Sequence, residues 1–311
     1  MKLGALVWPQ YTDWQSLRDT GELVDKLGFD SLWTWDHLYP IVGEPSGPMF
    51  EGYLTLAGWA EHTENVRLGL MVGANTFRNP ALVVKMITTL DHMSGGRMNL
   101  GIGGAWFETE HTAFGIEFGS GFGERLDWFD EAVELMRDML PGGPVSARGR
   151  FYQAKDVLNN PPPVQSHLPI LIGGSGERKT LHTVAKYADA WNTGGGDLER
   201  IKHKDAVLRR WCEEVGRDES EIERTLQAGT PIIRDTVEGA QKVAAAWAER
   251  NTLPSWDDPD TPMGPPELVA ETWAPYLDLG FEHLYVDCPA PYDHETLERL
   301  ATEVKPMLES R

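Results

Sequence analysis

The chain has 311 residues, 41% hydrophobic and 24% charged, a composition that supports a large folded core and excludes a disordered or collagen-like polymer. Its 28 Lys and Arg stand against 48 Asp and Glu, a formal charge of −20, so the surface repels polyanions and nucleic acid is not an expected partner. Cys212 and Cys288 belong to no CxxC or Cys/His cluster, which argues against a disulfide framework or a zinc site, and the opening apolar run is too short for a membrane span, so a soluble cytoplasmic protein is expected.

Residues 2–8 (KLGALVW) form a short apolar run ended by Pro9, which predicts a buried strand. The next segment, 14–27, places Leu17, Gly21, Val24 and Leu27 on one helical face, with Gly28 as its stop. The unit recurs at strand 31–35 with helix 53–62, strand 66–72 with helix 80–93, and strand 98–104 with helix 124–140. Pro80 stands where a first-turn proline belongs. In helix 124–140, Leu126, Phe129, Val133, Met136 and Leu140 recur at three- and four-residue steps, an amphipathic pattern.

Residues 141–168 break the rhythm with PGGP, RGRFYQ and NNPPPVQ, and predict an excursion containing a small hairpin. Strand 170–174 with helix 177–187, strand 190–193 with helix 197–215, and strand 226–233 with helix 236–250 follow. An irregular loop rich in Pro and Asp (253–266) and an extra helix (267–279) precede strand 283–287 and a last helix, 293–309. Eight strands, each followed by helix, predict a (β/α)8 barrel, read as a single domain over 1–311 with an insertion after helix four. An open doubly wound sheet is the alternative.

The active site of such a barrel lies at the C-terminal ends of its strands. There the sequence places Trp8-Pro9, Trp33-Thr34-Trp35-Asp36-His37, Met71 to Asn75, Gly104-Ala105-Trp106-Phe107 and Trp191-Asn192. Flat apolar groups broken by single polar ones suit a planar conjugated ring, although each tryptophan could equally plug the barrel. Gly173-Gly174-Ser175-Gly176 follows a strand and opens a helix, so its backbone N–H groups form a candidate phosphate cradle. It is neither a Walker nor a GxGxxG motif, since Lys179 holds the last glycine position. His37 is the sharpest candidate for proton handling. Glu108, Glu110 and His111 supply Glu-x-x-His once, too little for a di-iron site, and Asp91-His92 is expected to cap or pair at its helix end.

Several segments together resemble the bacterial luciferase-like monooxygenase superfamily, and more closely its branch that uses the deazaflavin coenzyme F420. They are Gly28 to Trp33 running into Trp35-Asp36-His37, Pro48 to Tyr53, Val66 to Gly69, Thr76 to Pro80, Thr89-Leu90-Asp91 with Ser94 to Arg97, Gly101-Ile102-Gly103, Glu110-His111 with Phe114-Gly115, and Gly173 to Gly176 leading to Ala188 to Asn192. The resemblance implies a TIM barrel with an inserted segment, a flavin-type ring across the strand ends, and a bulge behind the ring with a non-proline cis bond at Met71–Val72. It implies that Asp36 and His37 lie near the ring and that the Gly174–Gly176 turn takes the cofactor's phosphate. Gly104, Ala105, Trp106, Gly173, Ser175 and Trp191 complete the expected cofactor contacts. Where the sugar-phosphate dehydrogenases of that branch carry a Glu acid, this chain has Trp106, so that dehydrogenation is not expected here; Glu51 is an alternative carboxylate.

The expected function is hydride transfer between F420 and a small organic substrate, in a homodimer. An FMN-dependent monooxygenase using reduced flavin and oxygen is the first alternative, and a non-catalytic flavin-binding barrel the second. The excursion 141–168 and the loop 253–266 are expected to shape the substrate mouth.

Overall fold

The computed structural model describes residues 1–256 and 262–310. Eight parallel strands form the barrel: β1 (Lys2–Val7), β2 (Ser31–Thr34), β3 (Arg67–Leu70), β4 (Leu100–Gly103), β5 (Ile170–Gly173), β6 (Ala190–Gly194), β7 (Glu223–Gln227) and β8 (His283–Cys288). β8 pairs with β1 over six residues, so the first and last strands are neighbours. Closure between β3 and β4 is made in two places. Leu68 bridges Met98, and Gly73–Ala74, just beyond β3, pairs with Ile102 and Gly103. The Met71–Val72 peptide in that interruption is cis, as the resemblance implied.

Alternation along each strand sends one set of side chains outward beneath the helices and the other into the barrel. On β1, Leu3, Ala5 and Val7 join the outer core, whereas Leu6 joins an inner cluster with Trp8, Trp33, Trp35, Met71, Leu171, Ala190 and Tyr285. Trp33 and Tyr285 meet edge to face at 5.3 Å, and the barrel is filled rather than open. Trp8 and Trp33 are therefore plugging residues. Trp191 faces the other way, fully buried in the outer core against Phe281.

The outer ring comprises α1 (Trp14–Lys26), α2 (Gly52–His62), α3 (Pro80–Met93), α4 (Glu108–Phe114), α5 (Phe122–Met139), α6 (Thr180–Tyr187), α7 (Leu198–Val215), α8 (Val237–Arg250), α9 (Pro266–Asp278), α10 (His294–Arg299) and α11 (Lys305–Glu309). Asp13, Glu51, Asn79, Asp197 and Thr236 cap five of them by accepting backbone N–H bonds, each worth about 1 kcal/mol. On α5, Phe129, Val133 and Met136 are fully buried, as the periodicity requires. Among the described residues no helix is long and apolar enough to cross a membrane.

Three expectations are corrected, and one helix, α4, was not expected. The seventh strand is Glu223–Gln227 rather than 226–233: Gly229 takes a positive φ, Pro231 lacks an N–H, and Ile232–Ile233 pairs instead with Met263–Gly264. α6 starts at Thr180, leaving 174–179 as an open turn. The last helix widens into a π segment at Leu300–Val304, where Pro306 removes a helical N–H. α4 had no apolar periodicity to announce it. The excursion does carry an antiparallel hairpin, Val145–Arg148 with Gln153–Val157. Asp91 fastens its far end, accepting N–H bonds from Val164 and Gln165. Part of the 253–266 loop, residues 257–261, lies outside the described residues.

At the N-terminal end of the barrel, Glu223 lies 2.7 Å from Lys2 Nζ and 3.4 Å from His283 Nδ1. Burial alone would raise its carboxyl, but the bonds and charges of His283 and Lys2 outweigh that and hold it at about 2. A depressed acid stabilises the fold above its unfolded value and loses that contribution as pH falls toward the folded one. Because the side chain is one-third exposed, the contribution is on the order of 1–2 kcal/mol. Glu223→Gln is expected to flatten the fall in melting temperature between about pH 4.5 and pH 2. Parallel wild-type and variant melting curves across that window would contradict this.

Candidate active site

A cavity of about 430 Å³ opens at the C-terminal ends of β2 to β7, in the size range of small-molecule sites. Met71, Val72, Gly73 and Ala74 form part of its floor, with Gly103, Gly104 and Ala105 beside them. A Cβ at Gly173 would stand 2.8 Å from Val72 Cγ1, so a glycine is required for Val72 to lie across the floor. Trp35, Trp106, Ile41 and Phe122 provide apolar walls, and Trp106 is 58% exposed at the rim.

The polar groups are few. His37 lines the cavity and its Nδ1 lies 2.9 Å from Glu110 Oε1, while the other oxygen of Glu110 accepts the Leu38 N–H at 2.8 Å. Glu110 is 1% exposed, so both oxygens are satisfied inside the protein. A carboxylate only accepts, which fixes Nδ1 as the donor and leaves Nε2 for other partners. Trp106 packs edge-on to the imidazole at 5.7 Å and Trp35 at 6.4 Å, holding the ring in place.

Asp36, next in sequence, is engaged differently. Its carboxylate takes both terminal nitrogens of Arg78, at 2.7 and 3.0 Å, together with the Ala74 N–H at 2.9 Å. Burial pushes this carboxyl above the usual range, and Arg78 and the Ala74 amide oppose the shift. Arg78 also bonds Glu51 and stacks over Tyr53 at 4.7 Å. Glu51 caps α2 through the Leu54 N–H and is not among the cavity-lining residues. The alternative role of catalytic carboxylate therefore falls on a Glu51 side chain that is occupied elsewhere.

Gly173, Gly174 and Ser175 line the opposite wall. Gly174 has φ +116°, a conformation side chains rarely adopt, and its N–H bonds the Asn192 carbonyl. The amides of Ser175 and Gly176 donate to no described residue. Trp191, expected at the cofactor, instead donates its indole N–H to the Gly174 carbonyl at 2.8 Å and shapes this turn from behind. Gly176 lies beyond the lining, against Thr180. Thr193 lines the cavity and its buried Oγ1 has no partner.

The cavity also brings in Ile41, Phe122, Thr193 and Gln227, which the sequence pattern had not singled out, and Glu110, which it had noted only as a metal-site fragment and a matching segment. Glu110 stood within a matching segment, but nothing local announced that its carboxylate crosses 73 positions to His37. Its neighbour His111 is turned away, bonded to Thr76 and the Phe107 carbonyl. None of residues 141–168, and none of the described part of 253–266, is among the residues that line the cavity, and residues 257–261 of the second segment lie outside the described residues.

The profile of a family described as luciferase-like monooxygenase matches residues 3–282. The chain belongs to the luciferase-like monooxygenase family. It is 29% identical over 315 residues to an F420-dependent glucose-6-phosphate dehydrogenase of Kribbella flavida, covering 91% of each chain. Among solved structures, this luciferase-like chain is similar to an F420-dependent secondary alcohol dehydrogenase in complex with an F420–acetone adduct. The TM-score is 0.83 at 19% identity, over 99% of this chain and 98% of that one. It is similar to a monooxygenase from Streptomyces bottropensis at TM-score 0.81 and 19% identity, over 99% of each. At those identities the structural likeness is one of fold.

Removing one partner of a buried ion pair leaves the other charge uncompensated, at about 3–5 kcal/mol. Arg78→Ala in this luciferase-like barrel is therefore expected to lower unfolding free energy by about that amount. Urea denaturation checks it, and a loss below about 1 kcal/mol would show that the Asp36 carboxyl had found another partner or become neutral.

Proposed function

We propose that the protein is an oxidoreductase that exchanges hydride between coenzyme F420 and a small organic substrate. The observation that carries this reading is the arrangement of the cavity. A flat floor at Met71–Ala74 lies between a fixed imidazole on one side and the free main-chain amide of Ser175 on the other. The unpartnered Thr193 Oγ1 and the exposed Arg178, two residues past the turn, suit the anionic arm of such a cofactor. The relative from Kribbella flavida supports the same cofactor.

When bound, the deazaflavin supplies the carbon that accepts or gives hydride. The chain's residues do the rest. Val72 and the neighbouring glycines offer a flat surface against which a ring can lie. The Ser175 N–H would bind its phosphate, with the Gly176 N–H just beyond the lining. Trp35, Trp106 and Ile41 keep water from the reacting face. His37 Nε2 takes the hydroxyl proton as an alcohol becomes a carbonyl, or returns it in the reverse direction, while Glu110 orients the ring and stabilises the imidazolium.

His37→Gln retains a donor toward Glu110 and is expected to leave folding within about 1 kcal/mol of the parent. Turnover should fall about 100-fold or more while cofactor affinity holds. Absorbance at 420 nm measures the first and fluorescence quenching the second; unchanged turnover would remove His37 from the reaction. The same quenching titration, run with F420 and with FMN, tests the cofactor. F420 is expected to bind at least about tenfold tighter, and the reverse order would favour oxygen chemistry with reduced flavin.

A further inference from the structure

The strand-end loops carry an uneven distribution of charge. Those after β1 (8–13), β2 (35–51) and β8 (289–293) contain no Lys or Arg, and neither does the run from 104 to 121 after β4; after β6, Arg200 donates to the Gly194 and Gly195 carbonyls. The loop after β3 has only Arg78, held by Asp36 and Glu51. The loop after β7 has only Arg234, held by Asp293 and Glu295. After β5, Lys179 pairs with Asp127, and Arg178 stands beside the glycine turn. Arg125, at the start of α5, is buried with its guanidinium 3.6 Å over the Phe118 ring. Among the described residues, no Lys or Arg lines the cavity.

A phosphorylated or carboxylated substrate would meet no Lys or Arg among the described residues that line the cavity, since Arg178 stands by the glycine turn that would take the cofactor's arm and Arg200 is bonded to the Gly194 and Gly195 carbonyls. Desolvating an anion without a partner is strongly unfavourable. What the rim offers is aromatic surface: Trp106 and Phe122 are 58% and 53% exposed at its edge, with Ile41 across from them. Apolar area of this kind stabilises a ligand at about 25 cal/mol per Å² buried.

We propose that the substrate is an uncharged, largely apolar alcohol or carbonyl compound. Its carbon skeleton lies against Trp106 and Phe122, and its single oxygen reaches His37 Nε2. The proposal rests on the hydride-transfer reading for the identity of the reaction, and on the charge of the mouth alone for the class of ligand. In the oxidising direction His37 Nε2 would take the O–H proton, while bound F420 would supply the two-electron acceptor for the carbinol hydride. It sets this chain apart from the glucose-6-phosphate dehydrogenase that it resembles in sequence.

The test compares ligands of one skeleton and different charge: cyclohexanol, 4-hydroxycyclohexanecarboxylate and 4-aminocyclohexanol, with glucose 6-phosphate as a fourth. Dissociation constants come from saturation-transfer NMR on the full chain, with and without F420. The neutral alcohol is expected to bind at least about tenfold tighter than either anion. Trp106→Ala is expected to weaken it about fivefold or more, while Trp106→Lys narrows the gap between neutral and anionic ligands. Tighter binding of an anion or of the amine would overturn the proposal, as would indifference of cyclohexanol to both Trp106 variants. Because ligand preference is read without cofactor as well, failure of F420 to bind overturns the hydride-transfer reading separately.

Discussion

The site depends on one buried ion pair. Arg78 grips the Asp36 carboxylate with two nitrogens, and the same carboxylate holds the Ala74 amide. Those bonds tie the end of β2 to the interrupted end of β3, and through Glu51 to the first turn of α2. The strand interruption at Met71–Ala74 is the cavity floor, so the pair fixes the surface on which a flat ligand can rest. The contribution of a buried pair of this kind lies in geometry more than in net stability, since its desolvation offsets most of its attraction.

Adjacent residues in sequence therefore have opposite assignments. Both line the cavity, but the Asp36 carboxylate is committed to Arg78 and positions backbone, whereas His37 is itself positioned by Glu110 from α4 and keeps Nε2 for other partners. Alternation at a strand end gives the two side chains different partners, because successive side chains leave on opposite faces. The same parity separates Trp33, inside the barrel, from Trp191, outside it, although both sit at strand ends and read alike as letters.

Most of the barrel was legible because its signals are local. Short apolar runs indicated the strands, three-and-four spacing indicated α1 and α5, and Pro80 and Gly28 marked ends. The misreadings have local causes too. Ile232 and Ile233 are as apolar as any strand, but Gly229 and Pro231 detach them from the sheet. α4 is short and polar, and it exists because Glu110 and His111 are buried under it, a tertiary reason with no periodic trace. The hairpin in the insertion was visible from its turn residues, whereas its packing away from the mouth was not.

The amino-acid sequence by itself determined the eightfold strand–helix alternation, the glycine turn after β5, the aromatic character of the strand ends and the scarcity of Lys and Arg in the loops around them. These are properties of single segments, set by periodicity, backbone freedom and composition. Only the tertiary structure decided which groups face the cavity. Glu110 meets His37 across 73 positions, Arg78 occupies the Asp36 carboxylate and holds Glu51, and Trp106 reaches the rim while Trp191 lies behind the turn. Such choices depend on strand register and barrel closure, which bring distant carboxylates and cations within bonding reach and have no signature in the order of residues along the chain.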